Sequence, residues 1–168
     1  MEQHARLDAQ EAALDALLEA LDVPAEVPQD DRVARLAERA PGYAQYHRIG
    51  HKRQAAYRRL TADRAAAHRA YPLVLAALLT DDDPSSPRWF AQVLLTVGGR
   101  RRLQEELVAA VAAGDPLRQV CAVGAWRWAD AADGPLAERF PAARREAAAR
   151  CVDPWARERL AEQPTGRQ

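Results

Sequence analysis

The chain has 168 residues, with 24 basic and 24 acidic side chains and a formal net charge of zero. That length suits one domain with a real core, and 48% hydrophobic against 29% charged residues excludes global disorder. Two cysteines are too few for a disulfide framework, no run is apolar enough to span a membrane, and the zero balance excludes a chain basic from end to end.

Alanine, leucine and arginine dominate, and Ile49 is the only isoleucine, so helices are expected and strands are not. Leu7, Leu14, Leu17, Leu18 and Leu21 recur at helical spacing and predict an acidic amphipathic helix over residues 4–21. Pro24 and Pro28 break it, Asp30 or Asp31 caps a short helix carrying Val33, Leu36 and Ala37, and Pro41-Gly42 ends that one. Tyr43 to Ala70 reads as one helical run without proline, with Gly50 as a possible bend. Pro72 opens a short apolar segment with its place in the core, and residues 81–87 form a loop and cap. The next helix carries Trp89, Phe90, Val93, Leu94 and Val97, Gly98-Gly99 turns the chain, and Leu103, Leu107 and Val111 mark the helix after it. Asp115-Pro116, Gly134-Pro135, Phe140-Pro141 and Asp153-Pro154 each place proline where a helix begins. The expectation is an all-α chain of about eight or nine helices in one helical domain, 1–168. Its parts are acidic N-terminal helices (1–40), a basic helix plus a buried helix (41–80), and a C-terminal set (86–163).

The two Asp-Pro starts lie 38 residues apart, and Ser86-Pro87 lies 29 residues before the first. The segment GDPLRQVCAVGAW, residues 114–126, with Asp115, Pro116, Arg118, Cys121, Ala122 and Ala125, resembles the opening of a HEAT repeat. The resemblance covers residues 86–163 with about two units. Arg118 sits one residue early, and the last unit lacks its second helix. It implies a short HEAT-like stack, with an irregular bundle as the other possibility, and a scaffold that offers a surface to another protein.

Charge is unevenly placed. Residues 1–40 hold ten acids and four bases, whereas residues 41–72 hold seven bases and one acid. Arg48, Lys52, Arg53, Arg58, Arg59, Arg64 and Arg69 make a candidate anion or nucleic-acid patch, with Arg48, Lys52 and Arg59 on one helical face. Arg53 and Arg64 fall instead within the stripe of Tyr46, Ile49, Leu60 and Tyr71. The opposed totals favour the acidic helix packing across the basic one. Arg100, Arg101 and Arg102 would oppose a helix macrodipole if they opened a helix, and a bound anion would relieve that conflict. The sequence favours placing them in a solvated loop.

On a helical wheel Leu117, Cys121, Gly124 and Trp128 share a face, which makes Trp128 core. Trp126 lies opposite with Gln119 and Ala122, either as an exposed protein-binding hot spot or as filler of the next interface. His47 and His51 are spaced i, i+4 with no acid between them, so no metal is expected. Cys121 and Cys151 read as small buried hydrophobes, and Asp81 to Asp83 as cap and solvated turn.

Two serines, Ser85 and Ser86, and one lysine leave little for nucleophilic catalysis, and no cofactor is expected. The first reading is a non-catalytic adaptor or regulatory module that binds another protein through Trp126 and Gln119. The alternative is a nucleic-acid binder using residues 48–69 and 100–102. In its extreme form this resembles the HEAT-like alkylpurine DNA glycosylases, with Trp126, Trp128 and Asp130 cast as groove aromatics and acid. The acid-rich first twenty residues lack a secretory apolar core, so a cytoplasmic protein is expected.

Overall fold

Aspartates and prolines set most of the helix boundaries. The computed structural model describes residues 2–27, 30–40, 42–129 and 134–162, and places ten helices and no strand among them. They are α1 (Gln3–Ala20), α2 (Asp31–Ala37), α3 (Tyr43–Ala62), α4 (Arg64–Arg69), α5 (Tyr71–Leu78), α6 (Pro87–Gly98), α7 (Arg100–Ala113), α8 (Pro116–Trp126), α9 (Pro135–Arg150) and α10 (Pro154–Ala161). Pro28 and Pro41 lie outside the described residues.

Side-chain caps explain several starts. Asp30, Asp63, Asp115 and Asp153 accept from the backbone N–H groups of Arg32, Ala66, Arg118 and Ala156 at 2.7–3.0 Å. Helix α1 stops before Pro24 in a left-handed turn at Asp22 (φ 52), where Val23 N–H reaches Leu18 C=O and Asp22 N–H reaches Glu19 C=O.

Besides the start of α7, which takes in Arg100 to Arg102, two boundaries differ from expectation. The helix predicted over Tyr43–Ala70 runs straight through Gly50 but breaks at Asp63, whose extended backbone (φ −136, ψ 95) closes α3 while its carboxylate opens α4. Phe140-Pro141 starts no helix, because Pro141 sits inside α9. The helix starts about two turns earlier, at the Gly134-Pro135 pair that the sequence also marks, behind Gly134 (φ 55) with Pro135 in its first turn.

One hydrophobic cluster runs from Leu7 in α1 to Leu160 in α10. Helix α1 packs on α3 and α5, and α5 packs on α6. In the C-terminal half α6 touches α8 and α8 touches α10, while α7 touches α9. Consecutive helices pack as well, α7 on α8 and α9 on α10. Phe90, Leu94, Leu103, Leu107 and Val111, all 0% exposed, fill the space where α6 and α7 join the rest. No described helix is long and apolar enough to cross a membrane.

Candidate functional site

The face of α3 that carries Arg48 and Lys52 meets α1. Arg48 makes a two-pronged pair with Glu11 (3.0 and 3.1 Å), and Lys52 reaches Glu11 at 2.9 Å and Asp15 at 2.6 Å. Gln45 adds a bond to Asp8 at 2.8 Å. Burial pushes the Glu11 carboxyl up, but the hydrogen bonds from Arg48 and Lys52 outweigh it and lower its pKa from 4.5 to about 2. These two cations are spent inside the molecule.

A second seam is buried at its centre, Asp81. Asp81 accepts from Gln10 Nε2 at 2.6 Å, Arg53 Nη2 at 3.0 Å and Ser86 Oγ at 2.6 Å. Arg53 Nε also lies 2.9 Å from Asp81 Oδ2, an ion-pair contact without hydrogen-bond alignment. Burial raises the Asp81 pKa, opposed by the charge of Arg53 and the bond from Ser86. Asp82 pairs with Arg6 at 2.8 Å, and Asp83 accepts from Tyr46 at 3.0 Å and from Ser85. Asp81 to Asp83 are thus not a solvated turn. They form a polar hub that ties α1, α3 and the start of α6 together, and Arg53 lies within an apolar stripe because its partner Asp81 is buried with it.

The remaining cations are placed differently from expectation or are partnered locally. Arg100, Arg101 and Arg102 open α7 and are not in a loop. Arg101 and Arg102 offset the macrodipole through Glu105 (2.9 Å) and Glu106 (4.0 Å), and Arg102 also lies 3.7 Å from the Tyr71 ring centroid. Arg59 pairs with Asp63 at 3.0 Å. Arg64 donates to the Thr96 carbonyl from an exposed position, since the break at Asp63 resets the wheel that put it in the stripe. Arg58 and Arg69 are exposed. The patch inferred from sequence is therefore not one surface.

Trp126 closes α8 half-buried, its ring stacked on Phe140 of α9 with centroids 3.8 Å apart and planes 5° from parallel. Its predicted face is not a free one. Ala122 is fully buried, and Gln119 donates its amide to Val111 C=O of α7 at 3.1 Å. Trp128 lies beyond the end of α8, half-buried with its Nε1 shielded, and Gly124 is exposed rather than core. Asp130 lies outside the described residues.

The open side of the Trp126–Phe140 stack lines a groove of about 230 Å³ with Val120, Val123, Gly124 and Pro87. A Cβ at Gly124 would meet nothing within 4 Å, so the groove floor is open there. Arg127, Arg144 and Arg159 stand on its rim. Arg127 donates to Pro84 C=O and Arg144 to Leu160 C=O (2.7 Å), while Arg159 lies 5.3 Å from the Trp155 ring centroid. Burial lowers the Arg144 pKa, and Glu162 opposes that shift. Four carboxylates share the lining: Asp81 is paired with Arg53 and Asp82 with Arg6, Asp83 accepts from Tyr46 and Ser85, and Glu162 is exposed. Sequence reasoning singled out Trp126 but missed Phe140 and this rim, whose residues come from the end of α8, the interior of α9 and the last turn of α10.

Cys121 is buried, and burial raises its thiol pKa well above the ordinary value. Among the described residues no group of three or more His, Cys, Asp or Glu side chains gathers to hold a metal ion. No protein-family model, no curated protein and no solved structure matches the chain.

Proposed function

We propose that this chain is a non-catalytic interaction module, a short HEAT-like stack that docks an acidic segment of another protein in the Trp126–Phe140 groove. The observation that carries the reading is the groove itself. It combines a parallel aromatic stack, an open floor at Gly124 and three rim guanidiniums held by carbonyls and a ring face. An apolar side chain fits the stack, and flanking carboxylates complement the rim. The contacts of α8 with α6 and α10 and of α7 with α9, beside those of consecutive helices, support the repeat reading, as do the matching aspartate caps of α8 and α10. Free cysteines suit a reducing compartment, and a cytoplasmic location is part of the proposal.

Peptide display on the immobilised full chain tests it. Selection is expected to enrich peptides with an aromatic or branched apolar residue flanked by Asp or Glu. Trp126→Ala is expected to weaken a selected peptide by about 2 kcal/mol or more, roughly thirtyfold. Because Trp126 is half-buried, Arg159→Glu on the exposed rim serves as the second variant and should weaken it without lowering the melting temperature. Enrichment of basic peptides, no enrichment, or binding indifferent to both variants would overturn the proposal.

A further inference from the structure

Helix α3 and the segment from Asp83 to Trp89 line a second cleft of about 360 Å³, which shares only Asp83 with the Trp126 groove. Its volume falls within the range of small-molecule sites, about 300–1,000 Å³. The floor is Gly50, an interior residue of α3. Alanine is a better helix former at such a position, so glycine there calls for a reason. Packing supplies none, because a Cβ at Gly50 would meet nothing within 4 Å, and its backbone is not left-handed. What the missing side chain does is keep the cleft deep.

The chemistry around that floor is consistent along the helix. His47, His51 and Gln54 share the face of Gly50, and the two imidazole rings lie 4.5 Å apart, tilted by 55°. Arg88 and Trp89 face them from the first turn of α6. The one carboxylate on the wall, Asp83, has its oxygens taken by Ser85 and Tyr46, with Arg53 3.7 Å away. The wall thus presents ring faces together with imidazole, amide and guanidinium groups able to donate hydrogen bonds. We propose that this cleft binds a small ring-bearing oxyanion, a carboxylate or phosphate on a planar body. The anion is held by Arg88, His47 and His51, and the ring lies over Gly50 against Trp89.

The test uses the full chain and four probes in amide-resolved NMR titrations: benzoate, phenyl phosphate, uncharged benzyl alcohol and inorganic phosphate. Benzoate or phenyl phosphate is expected to move the amide signals of Gly50, His51 and Trp89 in a saturable way, and the stronger of the two identifies the anion. Benzyl alcohol, without charge, and inorganic phosphate, without a ring, should each bind at least about tenfold more weakly, the scale of one charge-assisted hydrogen bond or one ring contact. Arg88→Ala should weaken the anion about tenfold. Gly50→Leu should abolish binding while melting at or above the wild-type temperature, and Gly50→Ala, a milder filling, should weaken it in a still more stable fold. Equal binding of benzyl alcohol, undiminished binding by Gly50→Leu, or no saturable shift with either aromatic anion would overturn the proposal.

Discussion

Asp81 takes contacts from Gln10, Arg53 and Ser86, which belong to three parts of the chain, with its side chain 1% exposed. A buried pair of this kind adds little over an apolar pair, yet breaking it strands a charge. Arg53→Met is therefore expected to cost about 3–5 kcal/mol in urea unfolding, well beyond the effect of changing an exposed arginine such as Arg58. Glu11 works in the other electrostatic regime, near the surface and held by two cations. Its pKa is depressed to about 2 in the fold, so its contribution is full above the unfolded value of 4.5 and is lost as pH falls toward 2. Asp81 has the opposite sign. Its pKa is raised, so its own contribution declines as pH rises through that pKa. Glu11→Gln is expected to flatten the fall in stability between pH 4.5 and 2 and to cost about 1–2 kcal/mol at pH 7, a figure discounted because Arg48 is half-exposed. Urea unfolding at a series of pH values reads both effects.

At the scale of helices, caps decide where elements begin, and this is where the sequence was most and least legible. The Asp-Pro pairs at 115 and 153 predict α8 and α10 because proline marks the first turn and aspartate the cap. Asp63 caps α4 in the same way through Ala66 N–H, but no proline follows it, so the surrounding alanines and arginines read as an unbroken helix. Pro141 misled in the opposite sense. Its missing N–H leaves the Ala137 carbonyl without its intrahelical donor, a cost that α9 tolerates with Phe140, Ala143 and Ala147 packed beneath it. Pro141→Ala is accordingly expected to stabilise the fold by about 1–3 kcal/mol, visible as a higher melting temperature. The arginines of α7 were misplaced because the macrodipole disfavours cations in a first turn, whereas Glu105 and Glu106 one turn on, together with the Tyr71 ring, supply the compensation.

Across the whole molecule the opposed charges of the first and second segments cancel by contact, as their equal totals suggested, through Glu11, Asp15, Arg48 and Lys52. Arg6 extends that cohesion, pairing with Asp82 and lying 4.3 Å from the Trp155 ring centroid, so the first helix reaches the last. Neither contact was legible, because Arg6 and Trp155 carry no local pattern and meet only once the helices stack. The same holds for the groove, where Phe140, Arg144 and Arg159 join Trp126 from other helices. With Lys52 and Arg53 buried, Arg48 and Arg59 paired, and the other arginines of the segment spread apart, the proposed partner recognition rests on the groove and not on the arginine-rich sequences. The most direct test is a side-by-side titration of one display-selected acidic peptide and a 20-base-pair DNA duplex, from 50 to 500 mM salt, against wild type and Arg159→Glu. The account predicts that the peptide binds and is weakened at least about tenfold by Arg159→Glu, while the duplex does not bind specifically at any salt concentration. Tight duplex binding with a steep salt dependence, unaffected by Arg159→Glu and alongside a peptide that fails to bind, would contradict it.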